Sequence, residues 1–225
     1  GSWRQNITLF LDTEILLSAY GFNGSELQSR FSDFYQLVEE INKNKKGTIK
    51  LKYFEENKEE INSIFLTVEK FFDSSYFFAG KTAFFKIKME AKKKENVPFI
   101  KHKFIKFLKD KEINEYEESI NIVDPKNHKF NLIDQSSLET YSKKYFLEIK
   151  KIEETLTFFT KINILRSGFE VSSLEKSKYL FVTLNSKTYY MAIQEKEKRE
   201  KKVAEAANLH FFTVYMWFKL NKGFT

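Results

Sequence analysis

The chain contains no cysteine. A disulfide framework and thiolate metal sites are therefore excluded, and the cytoplasm is the expected location. No apolar run reaches the roughly 20 residues that span a bilayer, and no secretory signal is recognisable, so no membrane partner is expected. A Gly-rich phosphate loop, a zinc-type histidine pair and a nucleophile elbow are all missing, which removes the motif-borne chemistries they serve. The three histidines, His102, His128 and His210, are scattered, and nothing pairs them at metal spacing. No internal repeat is evident.

What is present supports one sizeable core, or one core with a large insertion: 225 residues, 42% of them hydrophobic. Gly1-Ser2 reads as a cloning scar, and a fragment of a longer protein is expected. Lys plus Arg number 38 and Asp plus Glu 31, a net charge of +7. That balance permits a nucleic-acid partner through phosphate contacts. It also fits a Lys-, Asn-, Phe- and Ile-rich composition coded by A/T-rich DNA, with lysine as a general surface residue.

Ile7 to Leu11 reads as a buried strand that runs into Asp12-Thr-Glu14 and a helix over Thr13 to Tyr20, stopped by Gly21. Ser25 is a plausible N-cap for a long helix carrying Leu27, Phe31, Phe34, Leu37, Val38 and Ile41. Thr48 to Tyr53 alternates as a second strand, and Glu55 to Phe72 returns to helical period. This β-α-α-β-α order opens a parallel α/β fold. Phe77 to Gly80 breaks the pattern. Residues 74 to 140 fit it less well and read as a mostly helical insertion, with helices over Thr82 to Lys94 and Pro98 to Leu108. Leu138 to Arg166 is one long helix or two. Lys178 to Asn185 is a buried strand, a polar helix follows from Ser186, and His210 to Tyr215 reads as a last strand or edge.

Asp12 and Glu14 stand at the carboxyl end of a strand, where open α/β sheets bind ligands. Two carboxylates there form a candidate Mg²⁺ or Mn²⁺ site, because hard cations choose oxygen. The alternatives are ordinary: Asp12 as a helix N-cap, Glu14 as a first-turn acid. A basic tract, including Lys86, Lys88, Lys101, Lys103 and Lys106, interleaves with phenylalanines and could grip a nucleic-acid strand. The same spacing describes an amphipathic helix with Phe104, Phe107 and Leu108 in the core. Trp217 and Phe218 are expected in the core or at a contact with the rest of a parent protein.

The segments Leu9-Phe-Leu-Asp12-Thr-Glu14-Ile-Leu, Glu55 to Phe65 and Leu180-Phe-Val-Thr183-Leu-Asn185 resemble those of PIN-like nuclease domains. The likeness covers about the first 72 residues and the last 60. It implies a parallel sheet between helices over residues 3–225 and metal-dependent cleavage of RNA, sometimes DNA, in toxins, RNA-processing factors and antiviral defence proteins. It also implies Mg²⁺ or Mn²⁺ as cofactor. By the same likeness Asp12 takes the place of the first acidic ligand, with Thr13 helping to hold its loop. Glu14 stands where the family often has Asn. Glu60 matches the second acid, with Glu56 and Glu59 as neighbours. Thr183 matches the late strand's Thr. Asn185 stands where active members usually carry an acid. Glu170 is the closest candidate for the third acid and Glu175 the runner-up. The acidic set is thus incomplete or rearranged, which leaves open a catalytically weakened module that binds nucleic acid or protein. The expected partners are RNA ahead of DNA, the remainder of a larger protein, and a second copy in a homodimer.

Overall fold

The computed structural model describes residues 3–74 and 78–220. The expected scar at Gly1-Ser2 and the Phe77 part of the expected helix break lie outside them. The chain adopts the α/β class expected from its sequence. Five strands, β1 (Asn6–Leu11), β2 (Thr48–Tyr53), β3 (Ile113–Glu115), β4 (Tyr179–Thr183) and β5 (Ala206–Asn208), form one sheet in the order β3-β2-β1-β4-β5. Every pairing is parallel.

β1 lies at the centre and is buried on both faces, which is why it reads as a nearly unbroken apolar run. Its side chains alternate between two cores. Leu9 and Leu11 face one with α1 (Thr13–Tyr20), α2 (Ser25–Lys43), α3 (Glu55–Lys70), α4 (Thr82–Ala91), α5 (Val97–Asp110) and α9 (Leu209–Lys219). Phe10 faces the other with α6 (Gln135–Tyr145), α7 (Ile149–Arg166) and α8 (Ser186–Lys198). On that second face Phe10 stacks on Phe54 at 4.1 Å, and Phe158 stacks on Phe181 at 4.6 Å. Ring stacking of this kind adds about 0.5–1.5 kcal/mol per pair beyond area burial.

Local chemistry sets the helix ends. Gly21 closes α1 in the left-handed region at φ 99°, a conformation that costs glycine little. Gly24, at φ 96°, holds the cap position before Ser25 that the sequence suggests for Ser25 itself. The 138–166 stretch is two helices, broken where Phe146 turns left-handed at φ 53°.

The stretch read as an insertion supplies part of the sheet's framework. α4 and α5 pack Ala83, Ile87, Phe104 and Leu108 into the first core. The chain then enters β3, which pairs with Leu51–Tyr53 of β2. His210–Tyr215 is a correction: it is helix, not strand. β5 ends at Asn208, whose side chain accepts from the backbone N–H groups of His210 and Phe211 and starts α9. Leu209, Phe212 and Met216 then bury one helical stripe, a period that a strand could not satisfy.

Candidate functional site

α1, which follows β1, packs on one face of the sheet, whereas α8, which follows β4, packs on the other. β1 and β4 are neighbours. Their carboxyl ends therefore flank a topological switch point, the place where open α/β sheets form a crevice. Asp12 leaves β1 there and Thr183 ends β4 there. A cleft of about 800 Å³ opens beside them, lined by Asp12, Glu14, Glu60, Asn185 and the start of α7.

Two threonine hydroxyls fix the two principal acids. Thr183 Oγ1 donates to Asp12 Oδ2 at 2.9 Å and itself accepts from Asn185 N at 3.0 Å. Thr13 Oγ1 donates to Glu60 Oε2 at 2.7 Å and accepts from Asn57 Nδ2 at 3.1 Å. Asn57 is fully buried, and its Oδ1 accepts from Phe54 N at 3.1 Å. Asp12 Oδ1 takes Thr13 N at 2.8 Å, so Asp12 is a helix cap as well. The cap role leaves room for a ligand role at this residue, since each carboxylate oxygen keeps a lone pair.

The electrostatics are those of acids crowded together. Desolvation pushes the Asp12 carboxyl up to about 6; the Thr183 hydrogen bond opposes this, and the nearby Glu60 charge adds to it. Glu14 is raised by desolvation and then by Glu60. Lys151, on the first turn of α7, is the cationic neighbour. Burial works against its charge, but Glu60, Glu154 and Asp12 together hold its ammonium above the usual lysine range. Its Nζ donates to Glu154 at 3.3 Å. Deeper in the wall, the buried Lys161 Nζ meets Glu56 Oε1 at 2.5 Å.

The structure brings Asp12, Glu14, Glu60 and Asn185 to one cleft, with the buried Thr183 behind Asp12. Asn185 is also structural, because its Oδ1 accepts from Thr188 N at 3.1 Å and caps α8. Glu170 is not there. It lies in the loop before β4, at the amino-terminal edge of the sheet, exposed and paired with Lys202 at 3.1 Å. Glu175 pairs with Lys219 at 3.0 Å. None of Lys86, Lys88, Lys101, Lys103 and Lys106 lines the cleft. They sit on α4 and α5, where Lys103 meets Glu90 at 3.4 Å and Lys106 meets Asp110 at 2.7 Å. Sequence reasoning missed Lys151 and Asn57. Asn57 had a signal, being three residues before Glu60 and so on its helical face; Lys151 had none.

The donor set is of the chemical kind that hard cations choose. It consists of oxygens only, with the Asp12 and Glu14 carboxyls raised by burial and by the nearby Glu60 charge. Among the described residues, no group of three or more His, Asp or Glu could hold a metal ion. Mg²⁺ does not require one, since it is commonly bound by one or two carboxylates with waters and substrate phosphate completing the shell.

The fold and cleft thus define a parallel α/β domain with an acidic crevice at its switch point. Comparison with known proteins finds no matching family model, no matching characterised protein and no matching solved structure.

Proposed function

We propose that this chain is a PIN-like, metal-dependent nuclease domain that cleaves RNA or single-stranded nucleic acid, as part of a larger bacterial defence or toxin protein acting in the cytoplasm. The observation that carries the reading is the pair Asp12 and Glu60. They come from different elements, each is held by its own threonine hydroxyl, and both face one cleft at the switch point. Asp12 and Glu60, with Glu14 beside them, would hold Mg²⁺ or Mn²⁺, which supplies Lewis-acid polarisation of a phosphoryl oxygen. Thr183 keeps Asp12 in one orientation, and Thr13 does the same for Glu60. The Lys151 ammonium sits where a phosphate oxygen entering the cleft gains a positive partner. The test is cleavage of labelled RNA and DNA with Mn²⁺. Wild type cleaves and Asp12→Ala does not; equal activity in both removes the assignment.

A second reading is a catalytically weakened module that binds nucleic acid or protein. It is favoured by the position of Glu170 at the far edge and by the commitment of the Asn185 oxygen to capping α8. Calorimetry separates the two readings: no heat with Mn²⁺ alongside retained RNA binding supports the binding module.

A further inference from the structure

A second cleft, of about 480 Å³, opens at the amino-terminal edge of the sheet. It lies between the end of α7, the turn at Pro125–Phe130 and the segment joining α8 to β5. Its charge is opposite to that of the Asp12 cleft: Lys129, Arg166, Arg199, Lys201 and Lys202 line it, against Glu170 and Glu200.

Its floor is rigid. Arg166 is 5% exposed and donates to the carbonyl oxygens of Tyr179 and Ala204, each at 3.0 Å. These bonds, with a third from Nη1 to Val203 O at 3.5 Å, tie α7 to the starts of β4 and β5 and hold the guanidinium in the floor. Arg199 is held differently. Its Nε meets Glu195 Oε2 at 3.2 Å, and the fully buried Glu195 is fixed by the Tyr141 hydroxyl at 2.6 Å. Among the described residues nothing else bonds the Arg199 side chain, so its two terminal nitrogens remain as a fork of the geometry that matches a phosphate. Lys129 and Lys202 stand on the exposed rim. Phe169, 62% exposed, lies on the same rim with the Lys178 ammonium 3.9 Å from its ring centre.

We infer that this cleft binds a nucleoside phosphate, with Arg199, Lys129 and Lys202 on the phosphate oxygens and the Phe169 ring against the base. The volume lies within the range of small-ligand sites. An anchored guanidinium with lysines is the donor set for phosphate, and an exposed ring beside it offers a face for stacking. Glu170 is the counter-charge that holds Lys202 when no ligand is there. The inference does not rest on the nuclease reading, since it concerns the opposite edge of the sheet. The phosphate is carried either by a free nucleotide or by the terminal nucleotide of an RNA strand.

The experiment is calorimetry on the whole chain with AMP, ATP, inorganic phosphate, and a short RNA with or without a 5′-phosphate. The Lys129→Gln/Lys202→Gln double variant changes only exposed side chains and should weaken AMP and ATP binding by about tenfold or more. Phe169→Ala should weaken AMP and ATP but leave inorganic phosphate unchanged, and Glu170→Gln should tighten all three. Competition between AMP and the 5′-phosphorylated RNA identifies a strand end as the source; failure of that RNA to compete, with AMP still bound, identifies the free nucleotide. No heat from AMP or ATP at millimolar concentration overturns the inference. So does binding that is unchanged in the double variant, or binding that is lost in Asp12→Ala.

Discussion

Replacing Asp12 by Asn should stabilise the protein at neutral pH when divalent cations are removed. Its carboxyl is raised from 3.8 to about 6, first by burial, against the Thr183 hydrogen bond and with the Glu60 charge. At 1.36 kcal/mol per pKa unit, that rise makes ionised Asp12 a burden of about 3 kcal/mol on the folded state. The sign follows from the direction of the shift. The folded state holds the proton more tightly, so the associated stability is fully present below pH 3.8 and is lost as pH rises through about 6. Asn is neutral throughout and can still accept from Thr13 N; its Nδ2 then faces Thr183 Oγ1, whose hydroxyl must turn away, so about 3 kcal/mol is the upper bound of the gain. For a domain of this size, about 3 kcal/mol corresponds to about 6–12 °C in Tm. The assay is thermal unfolding of wild type and Asp12→Asn in EDTA, from pH 4.5 to 7.5. The gap in favour of Asn should widen with pH. Adding Mn²⁺ at ten times its Kd should recover about 1.4 kcal/mol in wild type and nothing in the variant. An Asn variant that melts at or below the wild-type temperature at pH 7.5, or a gap that does not grow with pH, refutes the claim that burial and Glu60 burden this carboxylate.

Thr13→Val keeps the shape but strands the buried Asn57 Nδ2 and frees Glu60; urea unfolding should show a loss of about 1–3 kcal/mol, and the nuclease assay a loss of activity. Arg166→Met leaves the carbonyls of Tyr179 and Ala204 without their donor; a loss of about 3 kcal/mol in urea unfolding is expected. Asn208→Ala removes the cap of α9 and should cost about 1 kcal/mol by the same measurement.

The parts of the fold legible in the sequence are those where a local signal and the tertiary environment agree. β1 and β4 are apolar runs because both of their faces are buried, and α1 stops at Gly21 because that position needs a left-handed backbone. β3 and β5 were not legible. Each is three residues long, too short for alternation to register, and each is defined by its neighbour in the sheet. α9 misled because a short apolar run has no decisive period. The site divides the same way. Asp12 follows from a strand end, whereas Thr183, Asn185 and Glu60 are reached through the likeness to PIN-like segments. Lys151 enters from a helix nearly 140 positions along the chain from Asp12, through a packing arrangement that no spacing encodes. Glu170 fails for the converse reason: sequence proximity to β4 places it at the start of that strand, whereas the cleft lies at the end.

The distribution of charge separates two steps that a single net charge conflates. The chain carries +7 overall, yet the Asp12 cleft is lined by seven acids and two lysines. A polyanion is therefore drawn to the molecule's surface but repelled from the proposed reaction centre unless a cation sits there. Added monovalent salt screens the first attraction over about a Debye length, so it should weaken RNA binding without regard to Asp12. On the proposed reading Mn²⁺ would act on the second, by neutralising the carboxylates that repel the phosphate. Binding that depends on salt and cleavage that depends on Mn²⁺ should thus move independently. An Asp12 variant that binds RNA with the wild-type salt dependence but no longer responds to Mn²⁺ would place the cation, and not the basic surface, as what admits a phosphodiester to the cleft.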